Sequence, residues 1–233
     1  MIRSLQGTSL IEYPGRISSV LFTAGCNLAC PYCHNPELVN VDLLDKEFNL
    51  SHDAIIKELK ERSGFIDAVV LTGGEPLLYE SNIELLKRIR EETPLVVKLD
   101  TNGTFPDRLR RAMPYVNFVA MDLKASPENY MLATGDRARF SSVIESALFL
   151  MQQTEADYEF RSTMVPGFIN AEDVLLLIEE LKPYRIKRYA LQVFRSEKTL
   201  SSELSGLPAY PRGYIEALAA KMADKVDDIQ LRI

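Results

Sequence analysis

Six short apolar runs, spaced by longer amphipathic segments, constrain the fold of this chain more than any other feature. They occupy residues 17–23, 68–72, 95–100, 118–122, 158–165 and 189–194. Each has the length of a strand buried on both faces, as in a parallel sheet. The segments between them carry helix signals. Ser51 is a candidate N-cap for a helix through Arg62, with Gly64 just beyond its end. Ser81 or Asn82 is placed to cap a run through Glu91 that stops before Pro94, and Ser141 or Ser142 to open a helix to about Gln153. Asn170 is placed to cap a helix to about Lys182, before Pro183, and a last helix is expected from about Pro211 to Lys225. Such alternation builds a parallel sheet with right-handed crossovers. A curved partial barrel and an open doubly wound sheet both satisfy it. The expectation is an α/β chain, a single-domain partial (β/α)6 barrel with parallel strands over residues 1–233.

Either architecture puts functional residues at the C-terminal ends of the strands. Thr23 leads into a cysteine loop at residues 24–35, and Thr72 leads into Gly73-Gly74-Glu75-Pro76. Asp100 leads into Thr101-Asn102-Gly103, and Asp122 into Leu123-Lys124. Four polar loops are thereby expected at one mouth.

Composition removes several classes of function. Lys and Arg total 27 against 33 Asp and Glu, a formal charge of −6, which speaks against a basic nucleic-acid-binding surface. No apolar run approaches the roughly 18 residues that span a bilayer. The opening residues, Met1 to Gly7, show no apolar signal segment, so a cytoplasmic location is expected. The three cysteines, all within eight residues, are no disulfide framework and fit a reducing compartment.

Cys26, Cys30 and Cys33 form a C-x3-C-x2-C pattern. A structural zinc site wants four ligands; here there are three thiols, His34 lies too close to Cys33, and His52 opens a helix. Cys30-Pro31-Tyr32-Cys33 is similar to a glutaredoxin dithiol, and His34 completes a c-type haem signature. The first leaves Cys26 and the other loops without a role, and the second normally needs export. Three inert buried cysteines at this spacing are improbable. An iron–sulfur cluster held by three thiolates remains, with one iron keeping an open coordination position.

The cysteine pattern on the first loop, with Gly73-Gly74-Glu75-Pro76 after the second strand, resembles the radical S-adenosylmethionine superfamily over nearly the whole chain. The stretch Gly25 to Asn35 is similar to the glycyl-radical-enzyme activases. So are Asp100-Thr101-Asn102-Gly103, Met121-Asp122-Leu123-Lys124, and Arg161 followed by Val165-Pro166-Gly167. The opening Ser9-Leu10-Ile11-Glu12-Tyr13-Pro14-Gly15 most resembles the activating protein of anaerobic ribonucleoside-triphosphate reductase. No cysteine follows Cys33, so the ferredoxin-like insertion of some activases is missing.

The resemblance implies a [4Fe–4S] cluster on Cys26, Cys30 and Cys33, whose open iron chelates the amino and carboxylate groups of S-adenosylmethionine. Reductive cleavage then yields a radical that takes hydrogen from a glycine of a partner enzyme. Gly73 and Gly74 would let backbone approach the methionine ammonium, Glu75 would balance its charge, and Pro76 would fix the turn. Tyr32 would pack on adenine or simply fill the loop. Asp100 and Asp122, side by side, repel unless a cation or proton lies between them. The resemblance implies K+ or Na+ there, completed by backbone oxygens of Thr101 and Ala120, although either aspartate also suits helix capping. Asn102 would contact the cofactor, Lys124 and Arg161 would contact its carboxylate or ribose region or simply pair with Asp122 or Glu75, and Gln192 and Phe194 would contact its adenosyl part.

Three classes of function follow from these residues. An activase working on a glycyl-radical enzyme such as anaerobic ribonucleotide reductase, fed by flavodoxin or ferredoxin, accounts for the most. A radical enzyme acting on a small molecule, like a deazapurine synthase, is the alternative. A non-enzymatic iron–sulfur or zinc module leaves the glycine and aspartate loops without purpose.

Overall fold

The computed structural model describes residues 1–39, 49–135 and 140–233. The six expected strands form, as β2 (Arg16–Thr23), β3 (Ala68–Gly73), β4 (Val96–Thr101), β5 (Phe118–Asp122), β6 (Asp157–Met164) and β7 (Ile186–Val193). Two more flank them. β1 (Ile2–Tyr13) pairs antiparallel with β2, and β8 (Val226–Arg232) extends the parallel set beyond β7. Both are edge strands of alternating, half-exposed residues, so neither carries a continuous apolar run. The hairpin joining β1 to β2 turns at Pro14-Gly15, with Gly15 at φ 71°.

The strand order follows the chain order from β1 to β8. A doubly wound sheet reverses direction at a switch point, and this one never does. Residues beside β1's end (Ile11, Glu12, Pro14) and on β8 (Gln230, Arg232) line one cavity. A flat sheet would hold its two edges far apart, so the sheet curves into a partial barrel with its seam between β1 and β8.

The helices are α1 (Pro36–Val39), α2 (His52–Arg62), α3 (Glu80–Glu92), α4 (Pro106–Ala112), α5 (Tyr130–Thr134), α6 (Phe140–Gln152), α7 (Ala171–Glu180) and α8 (Arg212–Met222). Ser51 caps α2 as expected, accepting from Ala54 N at 3.2 Å. α3 instead starts at Glu80 without a side-chain cap. Asn82, expected as a cap, is buried and donates to Pro76 O at 2.8 Å. Asn170 caps α7 in a reciprocal box with Asp173.

Side-chain alternation sorts the sheet into two faces. Val97, Leu99, Val119, Met121 and Phe160 point to the helices and belong to the main core. Val20, Ala68, Val70, Phe118 and Ala120, with Tyr13, form a smaller apolar plug. Further along the plug's face the residues turn polar: Lys98 and Asp100 on β4, Asp122 on β5, Glu159 and Arg161 on β6. The barrel interior therefore grades from apolar at the strand starts to charged at the mouth.

Asp173 ties α7 to the segment after β5. Its carboxylate accepts from Ser126 N and Oγ (3.2 and 2.6 Å), Asn129 Nδ2 (2.9 Å) and Asn170 N (3.0 Å). Asp173→Ala strands buried donors and should cost on the order of 3 kcal/mol of stability. A denaturant midpoint equal to wild type would refute that linkage.

Candidate functional site

The cysteine loop follows β2 and is anchored on every side. Gly25 N donates to Leu38 O (2.7 Å), Ala29 N to Thr134 O (3.0 Å), and Ser201 N to Pro31 O (2.8 Å). Those contacts come from α1, α5 and the segment after β7. Cys30 is buried, while Cys26 and Cys33 are half-buried at the wall of a cavity of about 380 Å³. Burial pushes the Cys26 thiol up to about 12 and raises Cys30 as well, with Lys124 opposing in both cases. Buried thiols of this kind ionise on binding a metal.

The glycine loop fits against the cysteine loop by backbone contact. A Cβ on Gly74 would lie 2.1 Å from Gly25 O, and one on Gly73 2.4 Å from Thr23 N and O. Gly73 also adopts φ 121°, open to glycine but strained for other residues. Gly74 N donates to Thr23 O (2.9 Å), and Glu75 N to Gly25 O (2.8 Å). Both glycines line the cavity.

Glu75 does not. Its fully buried carboxylate turns away from the cavity and accepts from Leu77 N (2.9 Å), Thr101 Oγ1 (2.8 Å) and Asn102 N (2.7 Å). The expected counter-charge to a ligand ammonium is instead a brace between the loops after β3 and β4. Pro76 is likewise buried, in the first turn of a short 3-10 helix. It fixes the turn, as expected, and stays off the cavity wall.

Asp100 and Asp122 lie side by side as expected, and a protein cation bridges them. Arg161 donates from Nε to Asp122 Oδ1 (2.8 Å) and from Nη1 to Asp100 Oδ2 (3.1 Å). Lys98 Nζ lies 2.7 Å from Asp100 Oδ1, and Lys124 Nζ 2.8 Å from Asp122 Oδ2. Burial opposes ionisation of both aspartates, but Arg161 with Lys98 or Lys124 holds their carboxyls below the usual carboxylate range. Two carboxylates thus face three cations. The position expected for K+ or Na+ is taken by the Arg161 guanidinium. Thr101 lines the cavity and gives its hydroxyl to Glu75, whereas Ala120, buried in mid-sheet between Asp100 and Glu159, does not reach the cavity wall.

Tyr32 is buried beside Cys30, edge-on to Phe168 with ring centroids 6.5 Å apart. Its hydroxyl faces the Cys30 thiol and has no well-formed hydrogen bond. Asn102, Lys124, Arg161 and Gln192, expected to contact the cofactor, line the cavity. Phe194 does not: it is buried and stacks on His34 at 6.3 Å, supporting that ring.

Sequence reasoning missed Lys98, Glu159, Arg232 and Glu12. Glu159 is 1% exposed and holds Arg232 Nη2 with both oxygens (2.9 and 2.8 Å). The signal was present: Lys98 precedes Asp100 by two, and Glu159 precedes Arg161 by two, which puts each pair on one face of its strand.

The site suits the two groups that the sequence implies. Three thiols converge on one wall, an orphaned buried hydroxyl waits beside one of them, and the glycine cradle excludes any side chain. No three His, Cys, Asp or Glu side chains among the described residues are grouped to share one metal ion.

Burial pushes Glu75 from 4.5 up to about 7, against its three hydrogen bonds. A raised carboxyl favours the fold most below about pH 4.5, and that contribution is lost as pH rises to about 7. Glu75→Gln cannot titrate. Wild-type stability relative to this variant should therefore fall across that window in urea melts of the metal-free chain. A gap independent of pH would contradict this.

Comparison with known proteins follows the same lines. The model of the Radical SAM superfamily matches residues 20–181. A Methanocaldococcus jannaschii protein provisionally named a glycyl-radical enzyme activating enzyme is 27% identical over 237 residues, covering all of this chain and 95% of its own. The pyruvate formate-lyase-activating enzyme of Staphylococcus aureus is 25% identical over 191 residues, covering 77% of this chain and 74% of its own. Among solved structures, Streptococcus suis SuiB superposes with a TM-score of 0.68 at 13% identity. It covers 92% of this chain, which spans 48% of SuiB's length. A domain of pyruvate-formate lyase-activating enzyme from Bacteroides vulgatus gives 0.52 at 16% identity, over 69% of this chain and 98% of that domain. These structures share the fold. With a matching family model, a cysteine triad and a glycine loop in register on one curved sheet, the chain belongs to the radical S-adenosylmethionine superfamily, which uses a [4Fe–4S] cluster and S-adenosylmethionine.

Proposed function

We propose that this chain is an activase that removes a hydrogen atom from a glycine of a partner glycyl-radical enzyme, of the anaerobic ribonucleotide reductase kind, in the cytoplasm. One observation carries the reading. The cysteine cavity opens into a second groove of about 910 Å³ that reaches the seam between β1 and β8, the two sharing Glu12, His34, Arg161, Thr163 and Gln192. A groove open along its side suits a polypeptide segment threaded past the first cavity better than a small molecule that must be enclosed. The likeness to named activating enzymes supports the same reading.

Cys26, Cys30 and Cys33 hold the cluster in this proposal, and Gly73 and Gly74 present backbone to the methionine end of the cofactor. Bound there, the cluster would supply the electron for cleavage of S-adenosylmethionine, with flavodoxin or ferredoxin as the electron source. Lys124 and Arg161 lie on the wall where a ligand carboxylate would find positive charge, already oriented by Asp122 and Asp100. Gln192 faces both cavities from β7, between the cofactor and the incoming segment. The tip of the β1–β2 hairpin leaves Leu10 73% and Ile11 87% exposed, and Ile11 lines the groove. Apolar side chains standing out at the seam are placed to meet the partner.

With reductant and S-adenosylmethionine alone, the reconstituted chain should form 5′-deoxyadenosine slowly. A cognate reductase should then gain a stable carbon-centred radical, an EPR doublet formed in step with 5′-deoxyadenosine and lost when its glycine is replaced by alanine. Acceleration by a purine-like small molecule, with no doublet from any glycyl-radical enzyme, would replace this reading with the small-molecule one.

A further inference from the structure

The Asp100-Thr101-Asn102-Gly103 segment has a role that its resemblance does not assign. Asn102 is 6% exposed, and its backbone N–H and both ends of its side-chain amide are engaged. Its backbone N–H donates to Glu75 Oε2 at 2.7 Å. Its Oδ1 accepts two hydrogen bonds, from Thr104 N (3.0 Å) and Thr104 Oγ1 (2.7 Å). The Thr104 N–H, which can only donate, fixes the orientation of the amide, because a reversed side chain would set its NH2 against that donor. The NH2 group must then face the other way. There it meets Asn27 Oδ1 at 3.1 Å and Cys26 Sγ at 3.9 Å. Asn27 is held in turn, donating to Thr104 Oγ1 at 2.9 Å. Cys26 Sγ also accepts from Leu28 N at 3.4 Å.

From this geometry we infer that Asn102 is a positioning residue for the cluster: its side-chain NH2 donates to the Cys26 sulfur and raises the cluster's reduction potential. The inference rests on Cys26 being a cluster ligand. A reduced cluster carries one more electron than the oxidised form, part of it on the thiolate sulfurs, so a donor there favours reduction. The bond at 3.9 Å is long and its effect alone would be small. What distinguishes Asn102 is that Asn27 on the loop after β2 and Thr104 on the loop after β4 hold its side-chain amide in one orientation, while Glu75 on the loop after β3 holds its backbone N–H. The donor is preorganised, and its carbonyl side is occupied by Thr104.

Asn102→Asp tests this with little change of shape. The variant keeps an oxygen for Thr104 and replaces the donor with an acceptor. Asn102→Ala removes the donor without adding charge. In anaerobically reconstituted chains, both should keep the wild-type iron content and shift the midpoint potential of the cluster to a more negative value, Asn102→Asp further because of its charge. A residue that only braced the loop would lower stability or iron content and leave the midpoint where it was. An unchanged or more positive midpoint in Asn102→Ala, at full iron content, overturns the proposal. Should neither variant assemble a cluster, the wild-type chain decides. With 15N at its asparagine side chains, pulsed EPR of the reduced cluster should show a 15N coupling, and its absence overturns the proposal. A wild-type chain that binds no iron overturns the cluster reading itself, and this inference with it, before any variant is made.

Discussion

The approach of Gly73 and Gly74 to the backbone of Thr23 and Gly25 is the contact on which the site depends. Two loops from neighbouring parallel strands come so close that a methyl group would overlap a carbonyl oxygen. Glycine here serves the protein's own assembly before any ligand arrives. Glu75 extends the contact to the third loop through the Thr101 hydroxyl and the Asn102 backbone N–H. Three strand ends are thereby locked into one rigid rim. A cluster held by only three thiolates needs such a rim, since no fourth protein ligand fixes its place.

Below the rim the interior changes character within a few residues of strand. The plug around Val70, Phe118 and Ala120 supplies apolar burial, and directly above it Lys98, Asp100, Asp122, Glu159 and Arg161 stand on the same face. These charges are tolerable because each has an opposite charge within hydrogen-bonding distance, and removing one partner would strand another. The same pairing orients Arg161 and Lys124 at the cavity wall. The electrostatic order of the interior and the placing of these two cations thus come from one set of contacts.

Much of this was legible in the sequence. The apolar runs located six strands, and the polar residues just after them located the mouth, because a parallel sheet buries its strands and frees their ends. Edge strands escaped detection: β1 and β8 alternate apolar and polar residues, and a search for continuous apolar runs passes over them. Residue types also said less than residue directions. Glu75, Ala120 and Phe194 stand at the expected positions in the chain, yet Glu75 and Phe194 brace neighbouring loops and Ala120 lies inside the sheet. The cation between Asp100 and Asp122 was foreseeable as a charge requirement, but which cation depended on Arg161 reaching across from β6, a tertiary fact.

The central claim is that close glycine packing of the loop after β3 holds the cysteine loop in its cluster-binding shape. Gly74→Ala tests it most directly, read as iron content after anaerobic reconstitution beside far-ultraviolet circular dichroism of the same sample. Wild type should hold about four irons. The variant should keep the spectrum of the folded sheet and lose most of its iron, as Cys30→Ala would. A Gly74→Ala chain with wild-type iron and stability would contradict the account.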